Sequence, residues 1–324
     1  MLPFEKIKRE LLVRKKAKTD PKFGCLPEDR KASDIINYGV VNIDKPRGPT
    51  SHQVSAYVQK ILGISKAGHS GTLDPKVTGV LPIALGRGTR AAQALLIAGK
   101  EYICLMHLHK PVDGARLGQV LERFRGKIMQ KPPVKSAVKR ELRERDIYYL
   151  DVIEIKEQDV LFRVGTQAGT YIRKLVHDIG KELGTGAHMA ELRRSKAGPF
   201  DESTLFTLQD LTDAFHYLRE GDDLYIKHVI QPIEKAVSHL PKIFVLDSTV
   251  DSLCHGANLN VPGIAQLDSG IEEGDMVAVM TLKDELVALG DAQASSRQMM
   301  ADKGRAVNVK KVFMLPGIYP KMMR

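Results

Sequence analysis

The chain has 324 residues, 43% of them apolar and 27% charged, with a net charge of +10, which is long enough for two domains and has the balance of a globular protein. No apolar run approaches the length of a membrane span, and the charged start "MLPFEKIKRELLVRKKAKTD" lacks the apolar core of a secretory signal. Cys25, Cys104 and Cys254 are odd in number and have no paired spacing, which argues against a disulfide framework or a cysteine zinc site and predicts reduced thiols in a cytoplasmic protein.

In chain order, a polar arm runs to about residue 37. "GVVNIDKPRGPTSHQVSAYVQKILG" then reads as a short buried strand, a Pro/Gly turn and a helix capped by Thr50 or Ser51, with Val54, Val58, Ile61 and Leu62 at helical spacing. "EYICLMHLHK" alternates as a strand from Tyr102 onward, and "YYLDVIEIKEQDVLFRVGTQAG" reads as two strands around a polar turn. "TYIRKLVHDIGKELG" is a helix with Ile172, Leu175, Val176, Ile179 and Leu183 on one face. A charged helical stretch, "TLQDLTDAFHYLRE", leads to a boundary near residue 240. Beyond it "GIAQLD", "DMVAVMT", "ELVALGDA" and "RAVNVKKVFML" predict a small β-barrel-like module. Strands and helices mix without regular alternation, which predicts an α+β fold.

Positive charge is unevenly placed. Residues 241–324 carry nine Lys/Arg against ten Asp/Glu, so residues 1–240 carry 40 against 29. Three basic clusters stand out, at the N-terminus, at 123–145 and at 297–324. A solvated face would explain any one of them, whereas three together favour a polyanionic partner. Trp is absent, so any base stacking falls to a few tyrosines.

The chemistry-bearing candidates are few. No phosphate-binding GxxxxGK[ST] or strand-linked GxGxxG occurs, and neither His69 nor His107 with His109 has metal-ligand spacing. The stretch "GHSGTLDPKVTGVLPIALGRGTR" at 68–90 instead sets one acid, Asp74, in a glycine-studded turn ahead of Pro75. A surface turn is one reading. The other is a fixed acid, because Pro75 drives Asp74 toward extended angles and so aims its carboxylate. Arg173, in the first turn of the 170–183 helix where the macrodipole disfavours cations, reads as the partner of a buried carboxylate, a structural ion pair or a phosphate contact.

The same 69–90 stretch closely resembles the catalytic motif of the TruB family of pseudouridine synthases. "NIDKPRGPTSHQV" at 42–54 before it, and "KEY" at 100–102, "GTYIRKLVHDIG" and "LRRSKAGPF" after it, stand in the family's order, and the resemblance spans residues 38–240. The C-terminal module resembles a PUA RNA-binding domain. The arm and "LHKPVDGARL" resemble the archaeal dyskerin-type branch, the catalytic subunits of H/ACA ribonucleoproteins. The resemblance implies a mixed-sheet catalytic domain at 38–240, a β-rich PUA domain at 241–324 and an arm, 1–37, packed on the latter. It implies conversion of uridine to pseudouridine in RNA, with Asp74 as the essential carboxylate. Tyr102 would stack on the flipped base, Tyr171 and Leu192 would line its pocket, Arg173 would orient Asp74 and Lys45 would support the site. Glycines 68, 71 and 79 would let RNA approach closely, and Arg297, Lys303, Arg305, Lys310 and Lys311 would form a basic RNA-binding face. No metal or organic cofactor is implied. The implied partners are an H/ACA guide RNA, rRNA and tRNA substrates including the T-loop uridine, small H/ACA proteins and a kink-turn-binding ribosomal-type protein. A non-catalytic RNA-binding scaffold is the alternative.

Overall fold

The arm contributes a three-residue strand, β1 (Leu11–Val13), and a short helix, α1 (Ala32–Asn37), in a computed structural model that describes residues 1–132 and 139–321. Next come β2 (Gly39–Lys45), α2 (Ser51–Leu62), β3 (Ala67–His69), β4 (Thr78–Leu85), α3 (Ala92–Ile97), β5 (Lys100–Leu108), α4 (Gly114–Arg123) and β6 (Gly126–Gln130). The long hairpin β7 (Arg143–Lys156) and β8 (Asp159–Thr166) leads to α5 (Ile172–Leu183), β9 (Ala187–Ala197), β10 (Phe200–Asp201), α6 (Leu208–Arg219), α7 (Leu224–Val229) and β11 (Ile230–Pro232). The last elements are β12 (Lys242–Val245), α8 (Asp247–Cys254), β13 (Leu259–Asn260), β14 (Ile264–Asp268), β15 (Met276–Met280), β16 (Leu286–Ala292) and β17 (Arg305–Val312).

Two sheets organise these elements into an α+β fold. A ten-stranded sheet runs β11-β2-β4-β9-β5-β8-β7-β6, with β10 beside β9 and β3 beside β4. It is antiparallel except where β4 meets β9 in parallel, through Thr78 to Arg193 and Gly79 to Arg194. The seven-stranded C-terminal sheet runs β1-β14-β12-β15-β16-β17-β13. Its outer strand comes from the arm, with Leu12 opposite Leu267. A strand three residues long carries no periodicity to read, which is why β1 is invisible in the sequence.

Local chemistry explains the helices that matter for the site. Thr50 accepts from Gln53 N and Gln53 reaches back to Thr50 N, a reciprocal cap that starts α2. Gly63 ends it at φ +64°. The apolar stripe of α5 is fully buried against the inward side chains of β5 and β8, Tyr102, Cys104, Met106, Phe162 and Val164. Along β5 burial alternates from Tyr102 onward, so Ile103, Leu105 and His107 face the other way.

The two sheets are joined by a buried ion pair. Arg30 of the arm donates two hydrogen bonds of 2.8 Å to Glu234, which also accepts from the backbone of Leu286 in β16. Burial works against the Arg30 charge, but the Glu234 carboxylate outweighs it and holds the guanidinium well above its ordinary pKa. Arg30 and Arg87 both sit 5.1 Å from the Tyr38 ring, whose hydroxyl donates to Leu286 O. Because removing one partner of a buried pair strands the other charge, Arg30→Met is expected to cost about 3–5 kcal/mol. Denaturant unfolding of the variant beside the parent measures that loss.

Candidate active site

Asp74 sits on the connection between β3 and β4, and the carbonyls of residues 71, 73, 74, 75 and 77 in it are all bound. Val77 N donates to Asp74 O at 3.0 Å, closing a turn with Asp first and Pro second, the preferred order. Ser51 Oγ, on the first residue of α2, accepts from Leu73 N at 2.8 Å and donates to Leu73 O at 3.2 Å. Lys45 is completely buried, and its Nζ donates to Pro46 O, Pro75 O and Val77 O at 2.9, 3.2 and 2.9 Å. Burial, then the nearby Arg194 charge, lowers the Lys45 pKa from its ordinary value. Arg194, also buried, reaches Val80 O at 2.7 Å and Gly71 O at 3.3–3.4 Å.

What this bolted backbone leaves unoccupied is the Asp74 carboxylate. Arg173 is one residue into α5, and it forms an ion pair with Asp74 across 99 residues of sequence. The carboxylate is half-exposed (51%), which corrects the expectation that it is buried. Asp74, Pro75 and Lys76 form an exposed run between the buried Leu73 and Val77, which anchor the turn from beneath. Asp74 opens onto a cavity of about 880 Å³ floored by Ile103, Leu105 and Leu161, with Leu192 in its wall. Arg47, Lys76, Arg173 and Arg193 line it against two acids, Asp74 and Glu191. Arg193 is fixed by two 3.0 Å bonds to Asp44 and one of 2.5 Å to Glu202. A cavity with a rim of four cations against two acids suits one unit of a polyanion.

The other predicted residues are distributed more widely. Tyr102 is buried on the α5 side of β5, outside that cavity, where it lies near enough to Arg194 to favour the guanidinium charge. Tyr171 is the residue before α5, its backbone holds Gln130 in both directions, and it lines a second cavity of about 90 Å³ with Arg143, Arg145 and Gly169. The glycine expectation also needs correction. A Cβ on Gly79, at φ +102°, would meet Arg194 O at 2.2 Å. Its role is therefore to let β4 and β9 pair closely, not to admit RNA. A Cβ on Gly68 would meet Thr89 at 3.7 Å and one on Gly71 would meet Arg194 Nη1 at 3.7 Å, ordinary contact distances.

In the C-terminal unit Arg297, Lys303, Arg305 and Lys310 are exposed and Lys311 is half-buried. Lys310 lies 3.4 Å from Asp291. The arm's Arg14 donates to Ala301 O at 3.2 Å, so the first and third basic clusters, far apart in sequence, lie side by side. Lys135 of the central cluster and Arg324 of the last lie outside the described residues. Among the described residues no group of His, Cys, Asp and Glu could hold a metal ion, and no helix is long and apolar enough to cross a membrane. The sequence singles out Ser51 only as a possible helix cap and gives no sign of its bonds to Leu73, and Arg194, inside the quoted "LRRSKAGPF", carries no local signal of its role.

Comparison with known proteins follows the same lines. Residues 59–172 match the model for the TruB family pseudouridylate synthase N-terminal domain and 173–238 that for the tRNA pseudouridylate synthase B C-terminal domain. Residues 241–313 match a PUA domain and 2–55 a DKCLD domain. A probable tRNA pseudouridine synthase B of Pyrococcus abyssi is 58% identical over 98% of this chain and 96% of its own length. One from Methanopyrus kandleri is 54% identical over 99% and 95%. Among solved structures, a Cbf5–Nop10–Gar1 complex contains a chain that superposes with a TM-score of 0.95 at 56% identity, covering 99% of this chain and 98% of that one. An H/ACA ribonucleoprotein bound to a substrate RNA containing 2′-deoxyuridine gives 0.94 at 54%, with both chains covered completely.

Ser51→Ala removes the partner of the buried Leu73 N–H while the Thr50 cap remains. It is expected to destabilise the fold by roughly 1–3 kcal/mol, seen as a lower midpoint in chemical unfolding with helix content retained.

Proposed function

The chain belongs to the TruB family of pseudouridylate synthases, and we propose that it acts as the archaeal dyskerin-type member, isomerising uridine in rRNA under an H/ACA guide RNA. Asp74 is the essential carboxylate in this reading, Arg173 orients it through their ion pair, Tyr102 stacks on the flipped base, and Tyr171 and Leu192 bound its pocket. Lys45 supports the loop. The observation that carries the reading is the Asp74–Arg173 ion pair on a backbone-bolted turn at the mouth of a cation-rimmed cavity. A scaffold without activity would have no use for that pair.

The chemistry needs one carboxylate and no cofactor. The N1–C1′ bond breaks with its electron pair retained by the base, and the base turns beside Asp74. C5 then bonds to C1′, its proton leaves and N1 takes one up. Asp74 stabilises the electron-poor sugar either by bonding to C1′, a bond that breaks as C5 attacks, or by removing a sugar proton that it gives back as C5–C1′ forms. A uridine in a helix or loop leaves its stack to reach such a site.

Guidance is favoured because phosphate contacts carry no direct sequence information, and the match to the H/ACA ribonucleoprotein chain extends over the whole of this one. We assign residues 38–240 to catalysis and 241–324, with the arm 1–37 on it, to guide RNA held by Arg297, Lys303, Arg305, Lys310 and Lys311. Small proteins of the Nop10 and Gar1 kind, and a kink-turn-binding ribosomal-type protein, complete the particle. On its three free cysteines we place it in the reducing cytoplasm. The tRNA T-loop uridine is a second substrate, in keeping with the names of the relatives.

Asp74→Asn is expected to abolish tritium release from C5-labelled uridine while RNA affinity stays within about threefold, because phosphate contacts dominate affinity. Turnover by the variant would remove Asp74 from its role. In a reconstituted particle, changing the guide's pairing segments should move pseudouridine to the newly matched uridine. Modification that stays on the original RNA would leave a stand-alone tRNA enzyme.

A further inference from the structure

Three cations lie buried around the Asp74 loop, and among the described residues none has a carboxylate within ion-pair distance. Lys45 is 0% exposed, Arg194 1% and Lys100 5%. Lys45 is used up on the loop's carbonyls, and Lys100 Nζ donates to Leu95 O, Leu96 O and Ala98 O at 2.7–3.0 Å, closing the end of α3. Isolated buried charge is costly, and natural proteins pair it or shed it. Here burial and the Arg194 charge push Lys100 down to about 7, and burial lowers Arg194 itself. The two come together under the loop, since a side chain on Gly71 would meet Arg194 Nη1 at 3.7 Å and Lys100 Cε at 3.9 Å. Arg194 spans that loop from Gly71 O to Val80 O and lies near enough to Tyr102 for it to favour the guanidinium charge.

We infer that Arg194 is a positioning residue for the isomerisation, fixing the Asp74 loop beside Tyr102 and, with Lys100 behind it, supplying positive potential beneath the base while it is detached. This rests on the uridine-isomerase reading above. When N1–C1′ breaks, the electron pair stays on the ring and the base is a uracil anion until C5–C1′ forms, the C5 proton departs and N1 is protonated. Pre-set positive charge in a water-poor site lowers the energy of that anion without reorganising at the moment of bond breaking. A carboxylate beside Arg194 would cancel the potential, which accounts for its absence. The side chain acts through the loop and Tyr102 and touches no reacting atom.

The test compares Arg194→Met, Arg194→Lys and Lys100→Met with the parent in single-turnover assays on uridine and 5-fluorouridine RNA, each followed as loss of the parent nucleoside, alongside RNA binding and unfolding. Fluorine stabilises the departing base anion, so a deficit caused by lost positive potential shrinks on 5-fluorouridine and one caused by a loosened structure does not. Arg194→Met is expected to slow the uridine reaction on the order of 100-fold, with RNA affinity changed by less than about threefold and a deficit about tenfold smaller on 5-fluorouridine. Arg194→Lys, which keeps the charge but cannot span both carbonyls, should regain the fluorine-sensitive part. Equal deficits on the two substrates, or a Met variant as fast as the parent, overturn the inference. If Arg194→Met does not unfold cooperatively, the Lys100→Met deficit takes its place and must also narrow on 5-fluorouridine, or the inference fails. A parent protein that forms no pseudouridine at all would instead remove the uridine-isomerase reading.

Discussion

The capture of loop carbonyls by buried donors is the constraint on which the site depends. Between Gly71 and Val77 the backbone oxygens of residues 71, 73, 74, 75 and 77 all accept hydrogen bonds, from Arg194, Ser51, the Val77 amide and Lys45. Gly48 N adds a second donor to Pro75 O at 2.8 Å. Unmade hydrogen bonds at buried carbonyls would each cost free energy, so the loop has one low-energy arrangement. A carboxylate on such a loop is already placed before any substrate arrives, and that preorganisation is what electrostatic catalysis needs.

The rest of the catalytic sheet serves to bring those donors to one place. Lys45 ends β2, Arg194 lies in β9, and β4 runs between them with Gly79 at the crossing, where no Cβ fits against Arg194 O. The neighbouring Arg193 is directed into the cavity rim by Asp44 and Glu202, so consecutive residues of β9 face opposite sides and do different jobs. Arg173 arrives from outside the sheet, carried on α5, whose apolar stripe locks it on the face opposite Ile103 and Leu105. The price of a cation in the first turn of that helix is offset by the Asp74 charge. At the other end, the Arg30–Glu234 pair and the strand donated by the arm tie the C-terminal sheet to the catalytic one, so that the basic surface around Arg14 and Lys303 keeps a fixed relation to the cavity.

Much of this was legible in consecutive residues. The Thr50–Gln53 cap, the alternation of β5 from Tyr102, the stripe of α5 and the Asp-Pro turn are interactions within a few positions of one another, and each leaves a local pattern. The two corrections at the site share a cause. The exposure of Asp74 and the crowding at Gly79 depend on which segment lies over them, and no window around residue 74 or 79 contains that segment. The small β1 strand failed for a different reason, because its three residues are paired by β14 and not by any preference of their own.

What the sequence determined by itself, then, was the inventory: an isolated acid before proline, an arginine opening a helix, two strand-rich units and three basic clusters. These follow from backbone sterics, capping and periodicity, which act over one or two turns of chain. Only the tertiary structure decided that Arg173 meets Asp74 across 99 residues, that Arg194 binds carbonyls 114 and 123 residues away, and that the first and last basic clusters adjoin. Such contacts are set by strand order and register in the two sheets, where a shift of one residue would turn Arg194 out to solvent and Arg193 into the core.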